Sequence, residues 1–178
     1  QVEGIEQNAI MIDSVSKRFS MCGARIGWVV SKNKEVMKSI LKFAQARLSP
    51  PTYSQIGAER AFDVPETYFE EVLKEYTQRR NVLIEELQKV QGVRVSIPKG
   101  AFYCIAELPV ENAEDFCIWL LDHFSVNNET VMLAPAEGFY ATEGLGRNQV
   151  RIAYVLEKEK IVKAIHILAD ALKKYNNS

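Results

Sequence analysis

The chain has 178 residues, 47% hydrophobic and 25% charged, with nine glycines and six prolines; this is globular composition, long enough for one or two domains and for a core that needs no disulfide or metal. Its 22 basic and 23 acidic residues leave a net charge of −1, which excludes nucleic-acid binding driven by bulk charge, and no apolar run approaches the roughly 20 residues of a membrane span. Cys22, Cys104 and Cys117 are odd in number and lack CxxC spacing, which points to a reduced, cytoplasmic setting.

The chain starts at Gln1 without a Met, and residues 1–8 are neither a signal peptide nor a basic transit segment, so a piece of a longer protein is expected. Residues 9–14, with the apolar run AIMID, read as a buried strand from the middle of a sheet, and residues 25–31 (RIGWVVS) as a second strand. Residues 34–47 carry Val36, Met37, Ile40, Leu41 and Ala44 on one helical face, and Pro50-Pro51 stops that helix. A short helix is expected over 53–62. Asp63 then reads as an N-cap, with Pro65 early and Glu66 three along, for a helix reaching about Val90 and closed by Gly92. A helix of that length is long for a compact domain and is expected to bridge two. Its charge-rich segment 66–80 reads as a solvated face, with Lys74, Arg79 and Arg80 as ordinary surface groups.

Beyond it, residues 93–97 and 101–107 form a strand pair around a Pro98-Lys99-Gly100 turn. Residues 112–124 are a helix, 131–134 and 149–155 strands, and 157–175 a closing amphipathic helix; the tail 176–178 looks frayed. Mixed strands and helices after a long connector indicate a separate α+β domain. His123 and His166 lie far apart in helical stretches and form no metal-ligand pair, so no metal is expected. Trp28 and Trp119 are expected in the core, and Cys22 as a small packed residue.

The stretch DSVSKRFSMCGARIGW, residues 13–28, carries the chemistry. Most lysines are solvated surface charges, but Lys17 follows directly on a strand, where open α/β sheets place their sites. Ser14, Ser16, Gly23 and Arg25 around it are groups that hold a phosphate. One reading takes Ser14-Val15-Ser16-Lys17 as the S-x-x-K of a serine acylase; that motif must open a helix, and no K-T-G accompanies it. Another has Lys17 form a Schiff base with a phosphate-bearing aldehyde cofactor. An uncharged amine is then required, which calls for desolvation or nearby cations such as Arg18 and Arg25. This second reading therefore demands a shielded Lys17 and an Arg25 facing a shared anion pocket.

Ser14-x-Ser16-Lys17-x-Phe19 followed by Gly23-Ala24-Arg25-Ile26-Gly27 closely resembles the signature of class I/II aminotransferases, pyridoxal-phosphate enzymes of fold type I. SPPTYSQIGAERA, IPKGAFYCIAEL and VMLAPAEGFY…QVRIAYV match further pieces in order, so the resemblance covers nearly the whole chain as the C-terminal portion of such an enzyme. It implies an α/β fold-type-I fragment: the end of the large α/β domain over residues 1–75, and a small C-terminal α+β domain over 76–178, with a linking helix at about 65–90.

By the same resemblance, Lys17 binds the cofactor and moves the proton, Ser14, Ser16 and Arg25 hold the pyridoxal 5'-phosphate, and Arg151 takes the substrate α-carboxylate. A guanidinium fork suits that last task on chemistry alone, its rival being an ordinary ion pair on the sheet surface. Phe102 and Tyr103 are balanced between lining the substrate side and filling the core. The implied reaction is amino-group transfer between an amino acid, aspartate or a similar one, and a 2-oxo acid, in a homodimeric parent. The family's ring-nitrogen aspartate and ring-stacking aromatic have no counterpart before Asp13, so the chain alone is expected to be inactive. A β-lyase or decarboxylase on the same fold, and a non-catalytic half-site, remain the alternatives.

Overall fold

A computed structural model describes residues 2–177. The chain divides into two compact units, Gln1–Tyr68 and Phe69–Ser178.

In the first unit β1 (Met11–Ser14) and β2 (Gly27–Val30) pair antiparallel, with Met11 opposite Val30 and Ser14 opposite Gly27. The expectation of a buried strand fails here: Met11 is 56% and Ile12 75% exposed. A sheet of two strands has no inner position, and its apolar side chains stay on open faces. Between the strands, α1 (Val15–Arg18) makes a single helical turn. The helix α2 (Lys34–Arg47) matches its predicted limits, because the Asn33 side chain accepts hydrogen bonds from the Glu35 and Val36 amides and caps it. Its end is set by Leu48, whose φ of +70° leaves the helical region just ahead of Pro50 and Pro51. The next helix, α3 (Thr52–Ala61), is followed by Phe62, which meets Phe19 edge-on at 5.2 Å and Trp28 at 5.7 Å.

Asp63 is not the cap of the following helix. The amides of Phe62 and Asp63 still bond back to Glu59 and Arg60, and the Asp63 carboxylate pairs with Arg60, so this residue finishes α3. The long helix α4 (Glu66–Gln88) starts directly after Pro65. Arg79 and Arg80 are more than surface groups. Arg79 bonds Glu75 and the Val155 carbonyl, and Arg80 the Pro98 carbonyl, so both tie α4 to distant loops.

The second unit has a four-stranded antiparallel sheet in the order β3 (Arg94–Val95), β4 (Tyr103–Glu107), β6 (Gln149–Ala153), β5 (Ala134–Pro135). The helices α5 (Ala113–His123) and α6 (Lys158–Asn176) complete it. Residues 131–133 form no strand; that pairing begins only at Ala134. Period-two alternation sorts the sheet: Cys104, Ala106, Val150 and Ile152 face the core, while Tyr103, Arg151 and Ala153 face out. The core is closed by Leu83 and Leu87 of α4, Phe116 and Leu120 of α5, and Ile161, Ile165 and Leu168 of α6. Each such side chain contributes about 1.5–3 kcal/mol on burial. Trp119 packs on its edge, against Tyr175 at 5.1 Å. The tail is ordered further than expected, since Asn176 is still helical and donates to the Pro109 carbonyl; Ser178 lies outside the described residues.

Gly92 does not cap α4, which ends at Gln88; with a φ of +81° it serves a separate turn closed by the Val93 amide on the Val90 carbonyl, and a Cβ there would stand 2.8 Å from Pro109 Cβ. Gly92→Ala is therefore expected to destabilise the second unit by about 1–3 kcal/mol through strain and overpacking, whereas Gly100→Ala, which meets open space, is expected to be near neutral. Chemical denaturation midpoints of the two variants check this.

Candidate active-site loop

The β1–β2 pairing closes the loop 15–26 at its base. Ser14 faces Gly27 in register, and the next rung is a hydrogen bond of 3.2 Å from the Val15 amide to the Ile26 carbonyl. The closure is tight at Gly27: a Cβ there would lie 3.0 Å from the Asp13 carbonyl oxygen and 3.3 Å from Ser14 Cβ, so its neighbours would have to give by a few tenths of an ångström. No such demand exists at Gly23, where a Cβ would meet nothing within 4 Å.

Ser14 caps α1, its hydroxyl oxygen accepting from the Ser16 amide at 3.1 Å. That acceptor role leaves the hydroxyl proton for another partner. Asp13 anchors the same corner: its carboxylate accepts from the Ser14 amide at 2.7 Å and from the Arg18 guanidinium at 2.8 Å. The Ser14 N–H first, then Arg18, holds the Asp13 carboxyl below its ordinary value of 3.8. The loop is rooted from inside by Val15, fully buried, and Phe19, 8% exposed.

That rooting decides where Lys17 goes. Val15 and Phe19, four apart, mark the buried side of the turn, so the residue midway between them faces the other way. Lys17 is exposed. The desolvation expected of it is not supplied by the described residues, and Arg18, expected as a cation beside it, is engaged with Asp13. Lys17 also stands on a helical turn rather than in a loop, so the helix opening that an S-x-x-K serine nucleophile needs is present, though only as a turn of four residues.

Arg25 follows a 3-10 turn over Cys22–Ala24 and sits in the left-handed region at φ +57°, ψ +41°. A non-glycine residue there costs on the order of 1–2 kcal/mol. Its guanidinium donates to the Cys22 carbonyl at 2.9 Å and is otherwise exposed. Cys22 is exposed, not packed as expected, in a 3-10 turn with no buried residue; Cys104 and Cys117 are buried, and burial pushes each thiol up to about 11. A cavity of about 520 Å³ beside α2 is lined by Asp13 and Ser14 but by neither Lys17 nor Arg25. Ser14, Ser16, Lys17 and Arg25 thus share one closed loop, and of the four only Ser14 lines that cavity. As a donor set, two hydroxyls, an amine and a guanidinium fit the phosphate and aldehyde ends of a phosphate-bearing aldehyde cofactor.

In the second unit Arg151 sits on β6, opposite Ile105 of β4 and Ala134 of β5, on the outward face. Among the described residues its side chain has no ion pair and no hydrogen bond, so the ordinary surface ion pair is absent. Its guanidinium carbon lies 5.2 Å from the Tyr103 ring centre and 4.9 Å from that of Phe139. Tyr103 belongs to this outward group, whereas Phe102 is partly buried and packs toward Tyr76 at 6.2 Å. Phe139 lies in the VMLAPAEGFY stretch, but its spacing from Arg151 does not point to this contact. Among the described residues, no group of three or more His, Cys, Asp or Glu could hold a metal ion, and no helix is long and apolar enough to cross a membrane.

A profile of the family described as aminotransferase class I and II matches residues 2–168. An aspartate aminotransferase from Pyrococcus horikoshii is 31% identical over 170 residues, covering 93% of this chain and 41% of the relative. A (5-formylfuran-3-yl)methyl phosphate transaminase from Methanocaldococcus jannaschii is 32% identical over 170 residues, covering 94% and 43%. The crystal structure of an alpha-aminoadipate aminotransferase from Thermus thermophilus, complexed with N-(5'-phosphopyridoxyl)-L-leucine, matches with a TM-score of 0.78 at 27% identity, over 93% of this chain and 42% of that one. The chain therefore spans about two-fifths of the length of these relatives.

Two predictions follow from the loop geometry. Gly27→Ala is expected to lower the stability of the first unit by about 1–3 kcal/mol by forcing the strands apart, and Gly23→Ala to leave it unchanged or slightly raised; thermal unfolding of both variants reads this out. Because the Asp13 carboxyl is held low in the folded chain, its contribution is complete above the ordinary Asp range and is lost as pH falls through the lowered value. The melting-temperature gap between the native chain and Asp13→Asn should accordingly be present at neutral pH and close as the pH drops below 3.8.

Proposed function

The chain belongs to the aminotransferase class I and II family, whose cofactor is pyridoxal 5'-phosphate, and we propose that it is the C-terminal portion of an enzyme that moves an amino group between an amino acid and a 2-oxo acid. The observation that carries this reading is the placement of Ser14, Ser16, Lys17 and Arg25 on one loop closed at its base by Ser14 and Gly27. When bound, the cofactor supplies an electron sink for the carbon bearing the amino group. Lys17 would be the residue that holds it and would carry the proton to and from that carbon. Ser14, Ser16 and Arg25 grip the phosphate with hydroxyl and charge-assisted donors. Arg151 takes the substrate α-carboxylate; it is a guanidinium with no acid beside it among the described residues.

Aspartate or a similar amino acid is the proposed substrate. Its support is the aspartate aminotransferase among the relatives. A homodimeric, cytoplasmic parent belongs to the same reading. One observation favours a narrower role for this chain by itself: with Lys17 and Arg25 exposed, it is a half-site that needs further residues to shield the amine, and is inactive alone.

The test adds pyridoxal 5'-phosphate to the protein that carries this chain. A visible absorption band that disappears in Lys17→Ala, together with borohydride fixation of the cofactor on the Lys17 peptide by mass spectrometry, is expected. Formation of oxaloacetate from L-aspartate with 2-oxoglutarate, against pyruvate or carbon dioxide release, separates transfer from β-lyase or decarboxylase chemistry. A band that persists without Lys17 removes the assignment. The chain on its own is expected to form no oxo acid above background.

A further inference from the structure

Resting on Arg151 as the carboxylate-binding residue, we propose that Tyr103 and Phe139 are positioning residues that seat the Arg151 guanidinium and so set the affinity for the substrate α-carboxylate. A cation over a ring face uses none of its N–H donors. Arg151 stands about equally near both rings, at 5.2 Å and 4.9 Å, and among the described residues those donors are unspent. A long arginine side chain loses rotamer freedom when it grips a carboxylate; one already held against two rings has lost it beforehand.

Backbone geometry places both rings. Tyr103 pairs with Ala153, two residues along from the Ile105–Arg151 pair, so the alternation of the sheet sets it on the same face as Arg151. Phe139 ends a 3-10 turn, Glu137–Phe139, that begins beside the fully buried Ala136, whose amide bonds the Gln149 carbonyl at 2.9 Å. Tyr140 then lies over Gly146, where no Cβ would fit, and donates its hydroxyl to Gln149 Oε1 at 2.8 Å. This latch joins both ends of the segment that carries Phe139 to the strand that carries Arg151. Phe139 is 55% and Tyr103 39% exposed, so neither ring is accounted for by core packing.

The experiment uses the protein that carries this chain, with L-aspartate, L-leucine and L-2-aminoadipate as amino donors. Their counterparts without the α-carboxylate, β-alanine, 3-methylbutylamine and 5-aminopentanoate, serve as controls. Phe139→Leu and Tyr103→Leu are each expected to raise KM for the turned-over amino acids by about threefold to thirtyfold, the span of a cation–π contact. The same variants should leave kcat within about twofold, and should raise the calorimetric Kd of succinate in parallel. Tyr103→Phe, which keeps the ring, is expected to restore the native values, and the control amines to show no shift. An unchanged KM and Kd in both leucine variants overturns the proposal, as does an equal shift for the control amines, which would make the rings a packing surface. Arg151→Gln separates the two levels. If it raises KM strongly while the leucine variants do nothing, the aromatic seat fails and the Arg151 assignment stands. If Arg151→Gln is itself silent, or no donor is turned over, both fall.

Discussion

The arrangement of the candidate site depends on the close pairing of Ser14 with Gly27. A Cβ at position 27 would sit 3.0 Å from the Asp13 carbonyl oxygen, closer than ordinary contact, so a side chain there would press on the pairing by a few tenths of an ångström. Because the strands pair this closely, Ser14 lies opposite Gly27, Val15 bonds Ile26, and the chain between them becomes a loop with its two ends locked together. Lys17 stands just beyond one end and Arg25 just before the other. An amine and a guanidinium separated in sequence are thereby held on a single short excursion, and the Asp13 carboxylate pins its entry through Ser14 and Arg18.

The second unit solves a different problem with an equally simple device. Strand alternation sends Cys104, Ala106, Val150 and Ile152 into a helix-covered core and turns Tyr103 and Arg151 outward. Burying a guanidinium without an acid is prohibitively costly; leaving it on the outer face against two aromatic rings is not. The same rule that builds the core therefore leaves a charged, undischarged donor group in the open. The two sets of residues are prepared to different degrees. Arg151 is already seated, while Lys17 is exposed and surrounded by groups engaged elsewhere.

Elements governed by local chemistry were legible from residues alone. The limits of α2 follow from Asn33 as cap and the two prolines beyond it; Gly92 marks a turn, but α4 already ends four residues before it, at Gln88. Asp63 misled because a cap residue and a helix-ending residue look alike in sequence; the amide bonds to Glu59 and Arg60 assign it to the earlier helix. Lys17 misled on exposure because a motif names its chemistry without stating which side of a turn is rooted, and Val15 and Phe19 settle that. Arg79 and Arg80 looked like solvent groups until the loops that accept their hydrogen bonds, at Val155 and Pro98, came into place.

The amino-acid order by itself determined the family, through serines, a lysine, an arginine and glycines at set gaps, and most helix limits, because caps and prolines act within a few residues. Tertiary structure alone decided which side chains meet. Phe139 reaches Arg151 only because β5 pairs with β6, and the burial of β1 fails only because its sheet has two strands. Both outcomes come from partners far away along the chain, and no local pattern of residues encodes the distance between them.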